Sequence, residues 1–128
     1  MDGFSFGNFM KEGGWGMVPV LLLGLAAVAA GARYAARPKA GWLRFVAALW
    51  VTLAVVVVHA VVTCIAAVCA HAADPDRAPD ALLTRMVLNG LKESSRPAAL
   101  GGVFLTLVPL LAAVGLYRVA VGPRVDLT

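Results

Sequence analysis

The sequence has few charges, since only 14% of its 128 residues are Asp, Glu, Lys or Arg. A soluble domain of this size leaves a large share of its area in water and needs many more polar side chains to cover it. The hydrophobic content is 61% and the mean hydropathy is +0.85. These values exclude an ordinary soluble domain, and the surplus apolar surface must face lipid.

Acidic residues are absent from three long apolar stretches, 15–36, 42–70 and 97–121. Each stretch exceeds the ~20 residues that cross a ~30 Å hydrocarbon core as an α-helix. None shows the alternating polarity of a membrane β-strand. The sequence therefore predicts an all-α integral membrane protein, with three transmembrane helices in a single domain over residues 1–128.

The segments outside these stretches have their own signals. Residues 1–14 mix aromatic side chains with Gly, Ser and Asn, which predicts an interfacial lead-in. An apolar periodicity after Asp80 predicts a short helix over 80–94, with Asp80 as its cap. Ser94 or Ser95 is expected to cap the last helix, ahead of Pro97 in its first turn.

Basic residues set the expected orientation. The connection after the first helix has four of them and no acid: Arg33, Arg37, Lys39 and Arg44. By the positive-inside rule this connection is cytoplasmic, so the N-terminus lies outside and the C-terminus, with Arg118 and Arg124, lies inside. We expect a bacterial-type cytoplasmic (inner) membrane. Basic helix flanks explain the net charge of +4 without a nucleic-acid partner.

Catalytic motifs are missing. No carboxylate lies within an apolar stretch, and the chain has neither a Gly-rich phosphate loop nor a convergent Ser/His/Asp set. Cys64 and Cys69 are five residues apart on one helix, about 140° around its axis, so they cannot pair with each other. The sequence predicts no enzyme, no metal site and no cofactor.

His59 is the one ionisable residue near the middle of the second apolar stretch. Thr52, His59 and Thr63 are spaced seven and four apart, so they share one stripe of a helix. Such a stripe can line a wet lumen, together with Thr106 of the last helix. The alternative is structural: a neutral His59 bonds a neighbouring helix, and the threonines bond their own backbone.

Small residues predict close helix packing. They lie four apart in the first helix and side by side in the last: Ala26 and Ala30, Ala27 and Gly31, Gly101 and Gly102. Such faces let two helix backbones approach closely. They offer more packing faces than three helices can use, which predicts a homo-oligomer.

Two segments resemble a known family. The first is Lys11 to Leu22, KEGGWGMVPVLL, closed by Arg33; the second is Asn89 to Glu93, NGLKE, followed by Ala-Leu-Gly and later Pro109. Together they resemble the MotA/TolQ/ExbB proton-channel family. The resemblance implies a homo-oligomer, pentameric in that family, whose second and third helices surround a central path and the single helix of a membrane partner protein.

The chain departs from that family in three places, the first being its second helix, which has Thr52, His59 and Thr63 instead of the family's Gly-rich, Thr-containing signature. A large cytoplasmic insertion is replaced by the short connection 33–44, and Pro97 and Ala98 stand where the family has threonines. A reduced member is therefore expected. Two functions stay open: an oligomeric, channel-like and proton-conducting subunit, or a non-conducting structural or assembly subunit of a larger complex. A small lytic pore also fits the size, but no particular residue supports it.

Overall fold

A computed structural model describes Gly7, residues 14–73 and residues 80–122, with the side chains of 80–82 left out. This part of the chain is all α-helical and has no strand, as predicted. Its elements are α1 (Met17–Ala36), α2 (Ala40–Ala72), α3 (Asp80–Ser94) and α4 (Arg96–Val121). The expected interfacial lead-in lies outside the described residues apart from Gly7 and Gly14, and so does the side chain of Asp80.

Three segments are long and apolar enough to cross a membrane: Met17–Ala36, Ala40–Ala72 and Leu83–Val121. The third runs through α3 into α4. The chain is therefore a membrane protein with three candidate spans, and α3 is the short helix expected before the last one.

The junction between α3 and α4 is almost continuous helix. Ser95 has helical dihedrals (φ −76°, ψ −16°), and its N–H donates to the Leu91 carbonyl oxygen at 3.1 Å. A capping serine needs a non-helical backbone, so the predicted serine caps are wrong. The Ser94 hydroxyl donates instead to the Gly90 carbonyl oxygen, and the Ser95 hydroxyl to that of Lys92, each at 2.7 Å.

Helices α3 and α4 both run antiparallel to α2 and form a long helix pair with it. Gly101 of α4 contacts Val57 of α2, and Gly90 of α3 contacts Val68 of α2. The two glycines are eleven residues apart, and so are the two valines. Helices α3 and α4 therefore continue one register against α2.

Helix α1 accompanies only part of this pair. It packs chiefly against α4, where Gly24 meets Phe104 and Gly31 meets Leu111. At its start, Gly16 meets Ala60. We call α1, α4 and α2 residues 40–60 the three-helix bundle. The remainder of α2, residues 61–72, together with α3, is the hairpin.

Apolar side chains fill the bundle in two layers. One is made by Val20, Leu53, Val57, Ala60 and Phe104, and the other by Ala27, Ala30, Tyr34, Val46 and Val108. All ten are buried. Protein interiors of this kind pack as densely as organic crystals, so the bundle is a closed unit.

Candidate functional site

The predicted polar stripe lies on the exposed surface of α2. Thr52, His59 and Thr63 are all exposed on α2. The Thr52 hydroxyl donates to the Ala48 carbonyl oxygen, and the Thr63 hydroxyl to that of His59, each at 2.9 Å. These are bonds one turn back along the same helix, so the threonine hydroxyls are satisfied without water or a second helix.

Thr106 behaves in the same way on α4. It is exposed, and its hydroxyl donates to the carbonyl oxygen of Gly102. The structure does not gather Thr106 and the α2 stripe around an internal path. Any lumen lined by these four residues would have to lie between copies of the chain.

His59 lies closer to one end of the bundle than its place in the sequence suggests. Its neighbour Ala60 contacts Gly16, which directly precedes the first residue of α1. A 33-residue helix is about 50 Å long, well beyond a ~30 Å core, so the middle of the apolar stretch need not coincide with the middle of a membrane. The imidazole is exposed and makes no hydrogen bond to a described residue.

Most of the predicted packing residues contact other helices of the same chain. Ala27, Ala30, Gly31 and Gly101 are buried within the bundle, whereas Ala26 is exposed. A Cβ at Gly102 would meet nothing within 4 Å. The small-residue faces are thus largely used inside one copy, and they no longer argue by themselves for a second.

Two glycine contacts were missed because neither glycine is part of a four-residue repeat of small side chains. A Cβ at Gly24 would overlap the ring of Phe104, and one at Gly115 would lie 2.5 Å from the ring of Tyr34. Tyr34 is 2% exposed. In both places a large ring lies directly against a helix backbone, which only glycine permits.

Trp50 repairs the break that Pro109 makes in α4. Proline has no N–H, so the carbonyl four residues earlier, that of Leu105, loses its helical donor. The indole Nε1–H of Trp50 donates to that oxygen at 2.9 Å. Pro109 signalled a free carbonyl, but nothing in the sequence identified its donor.

Arg118 joins α4 to the end of α1. Its Nη1 donates to the carbonyl oxygen of Ala35 at 2.9 Å and lies 3.4 Å from that of Ala36. The last carbonyls of a helix lack internal donors and carry partial negative charge. A cation from another helix therefore caps α1.

The hairpin has a groove between its two helices, about 370 Å³ in volume. Its lining is mainly apolar, with Val68 and Met86 among the side chains, and its polar members are His71, Asn89 and Glu93. No group of three or more His, Cys, Asp or Glu side chains in the described ranges could hold a metal ion. The groove offers polar contacts without the ligand set of a metal centre.

Comparison of the chain with protein-family models, with curated proteins and with solved structures found no match.

Proposed function

We propose that the protein is a non-catalytic membrane assembly subunit that self-associates through its hairpin. The observation that carries this proposal is the apolar surface exposed on the hairpin, beyond the depth that α1 reaches. The bundle supplies the membrane anchor, and the hairpin supplies the contact surface.

In this proposal, the hydrocarbon core is aligned approximately with α1. This helix has 20 residues, which is ~30 Å and matches one hydrocarbon core. Because Gly16 lies against Ala60, α2 passes the outer limit of that core near His59. The twelve residues 61–72 then extend about 18 Å further, and α3 packs beside them.

The exposed surface of this extension is apolar on both helices. On α2, Val62 is 57% exposed and Ile65 is 38% exposed; on α3, Leu88 is 62% exposed and Leu91 is 45% exposed. Each pair is three residues apart and shares a helix face. Outside the hydrocarbon core, apolar patches of this kind mark protein contacts.

A second copy of the chain fits this surface. Exposed charges of both signs flank the patch: Arg85 and Lys92 are positive, and Glu93 is negative. Two copies can bury the leucine faces against each other and match these charges. This interface gives the homo-oligomer a different basis from the small-residue faces.

Replacing Leu88 and Leu91 tests the interface. Burying one leucine is worth roughly 1.5–3 kcal/mol, so Leu88→Ala/Leu91→Ala should weaken self-association at least tenfold in mild detergent or nanodiscs, measured by native mass spectrometry. Leu22→Ala/Leu25→Ala removes two exposed leucines from α1 at the same spacing and should leave the oligomer intact. A wild-type chain that is monomeric in both media contradicts the proposal.

The native cysteines give a second test. Cys69 is exposed near the end of α2, and both Cys64 and Cys69 are free thiols. In membranes, mild oxidation of a Cys64→Ala variant should produce a disulfide-linked dimer through Cys69. Cys69→Ala should not produce it at the same rate, because Cys64 is only partly exposed.

A proton-conducting oligomer is the second candidate, and one observation favours it. The imidazole of His59 is exposed and unbonded on the same face as Thr52 and Thr63. Under this proposal, the resemblance to the MotA/TolQ/ExbB family places this face on a path between copies. Purified protein in liposomes should then carry protons, and His59→Leu should abolish the flux while the oligomer persists. No flux from an intact wild-type oligomer favours the assembly function.

The proposed orientation can be tested in the same vesicles. With Cys64 and Cys69 replaced, a cysteine at Ala40 should react only from the cytoplasmic side and one at Ala78 only from outside. The basic connection supports this direction. The reverse labelling pattern contradicts it, and would place the hairpin in the cytoplasm.

A further inference from the structure

A surface groove between α1 and α2 has features that neither proposed function uses. It lies at the end of the bundle where α1 finishes, and its volume is about 470 Å³. Three alanines form its floor, and larger side chains form its wall and mouth. Its lining comprises Ala26, Ala29, Ala30, Arg33, Trp42, Phe45 and Leu49.

The mouth of this groove is aromatic and cationic. The guanidinium of Arg33 lies 4.8 Å from the centroid of the Trp42 ring, a cation–π contact. Trp42 and Phe45 meet edge to face with centroids 5.6 Å apart. A second cavity of about 480 Å³ shares these two rings and extends to Lys39 and Gly41. Aromatic rings beside basic side chains are typical of the headgroup level.

Within the described residues, the charge at this mouth has no acidic counterpart nearby. Between residues 13 and 73 the sequence contains no Asp or Glu. Within the described residues, the four basic side chains of this segment form no hydrogen bond or ion pair, the ring contact of Arg33 apart: Arg33, Arg37, Lys39 and Arg44. The described part of the chain thus offers these basic side chains no anionic partner, and an anionic lipid headgroup can supply one.

We propose that this groove binds one anionic phospholipid, with its phosphate at Arg33 and Lys39 and the upper part of an acyl chain on the alanine floor. The distance from Arg33 to Ala26 is seven residues, or about 10 Å along α1, so the site reaches from the headgroups into the hydrocarbon. Basic pockets between transmembrane helices are suited to such headgroups.

Another groove lacks the combination of alanine, aromatic and basic side chains that is found between α1 and α2. It lies between α2 and α4, has a volume of about 190 Å³, and is lined only by apolar residues such as Ala47, Trp50 and Pro109. It can take part of a lipid chain but has no charge to select a headgroup. The headgroup preference should therefore belong to the α1–α2 groove and not to this one.

Native mass spectrometry of the whole protein tests the proposal, with phosphatidylglycerol and phosphatidylcholine of identical chains as probes. Phosphatidylglycerol should bind more tightly to the wild type. Each basic residue near a membrane surface contributes about a fivefold preference for anionic lipid, so Arg33→Gln/Lys39→Gln should reduce the preference about 25-fold. Arg85→Gln/Lys92→Gln removes two exposed charges from α3 and should leave it unchanged.

Two further arms separate a lipid site from a simple anion site. Ala29→Leu fills the floor of the groove and should reduce phosphatidylglycerol binding to the level of phosphatidylcholine, whereas Ala47→Leu in the apolar groove should not. Inorganic phosphate at millimolar concentration should fail to displace the lipid. Displacement by phosphate, equal binding of both lipids, or equal effects of the two alanine variants would each overturn the proposal. Ala29 and Ala47 are both exposed, so both leucine variants should fold. Circular dichroism checks that they do.

Discussion

The bundle and the hairpin share helix α2 but are stabilised differently. In the bundle, three helices enclose two buried layers, and Trp50 and Arg118 bind backbone carbonyls on neighbouring helices. In the hairpin, α3 packs beside α2, and neither of the two buried layers includes a hairpin residue. Both regions use the same kind of close contact, a glycine against a valine. In the bundle, α1 constrains the contact between α2 and α4. In the hairpin, the contact between α2 and α3 can adjust.

The comparison bears directly on function. A two-helix unit buries little apolar surface, and helices in proteins owe most of their stability to tertiary packing. Regions of this type open locally at lower free energy than a packed core. The hairpin is thus the part of the molecule whose order should respond to a second copy, whereas the bundle is complete in one chain.

The largest expected effect comes from adding a methyl group inside the bundle. A Cβ at Gly101 would overlap a methyl group of Val57, and the β-branched valine has little rotamer freedom on a helix. Because α1 also holds both helices, Gly101→Ala should lower the free energy of unfolding by about 2 kcal/mol, within the range for overpacking.

The adjacent glycine is the matched control for this change. Gly102→Ala enters open space and should raise stability by up to about 1 kcal/mol through helix propensity. Thermal denaturation in detergent, followed by circular dichroism, compares the two variants. Equal melting temperatures would show that the α2–α4 contact is loose.

Removing the indole donor should have the next largest effect. Trp50→Phe leaves the Leu105 carbonyl without a partner, at an expected loss of about 1–2 kcal/mol. Pro109→Ala restores the N–H that this carbonyl lacks. In the Pro109→Ala background the same Trp50→Phe change should therefore be milder by at least about 0.5 kcal/mol. Additive effects of the two substitutions would mean that the bond contributes nothing.

The cap of α1 should contribute less. Arg118→Gln removes a cation from the end of a helix, an interaction worth roughly 0.3–1 kcal/mol where it is exposed. Arg37→Gln removes a charge from the same end of the bundle, but the side chain of Arg37 makes no hydrogen bond to a described residue. The melting temperature should fall for Arg118→Gln and stay within error for Arg37→Gln. A fall of the same size in both would assign the effect to net charge.

The sequence was sufficient for the fold because hydropathy alone locates helices that must cross lipid. The predicted stretches 15–36 and 97–121 differ by only one or two residues from α1 and α4. The sequence did not predict that His59 lies near the end of the bundle where α1 begins, because that position depends on how α1 packs beside α2. The serine caps failed because Ser95 keeps a helical backbone and the hydroxyls of Ser94 and Ser95 bond carbonyl oxygens of the preceding turn.

The candidate site was harder to predict for a related reason. Periodicity placed Thr52, His59 and Thr63 on one face correctly, yet it carries no information about whether that face points inward or outward. The Trp50 to Leu105 bond joins residues 55 positions apart, and no local signal encodes such a pair. The groove at Arg33 likewise forms only when α1 and α2 come together.

The smallest effect should come from the hairpin counterpart of the bundle contact. A Cβ at Gly90 would lie 2.5 Å from a methyl group of Val68, so the local clash resembles the one at Gly101. Among the described residues no third helix holds α3 in place, so the two helices can separate slightly and relieve it. The helix-propensity gain of Ala over Gly, about 1 kcal/mol, then offsets the remaining strain, and Gly90→Ala should change the melting temperature of the detergent-solubilised monomer very little. In the oligomer a second hairpin would restrict that separation, so the same variant should become destabilising there. A loss as large as that of Gly101→Ala, already in the monomer, would show that the hairpin is as rigid as the bundle and would remove the distinction between the two regions.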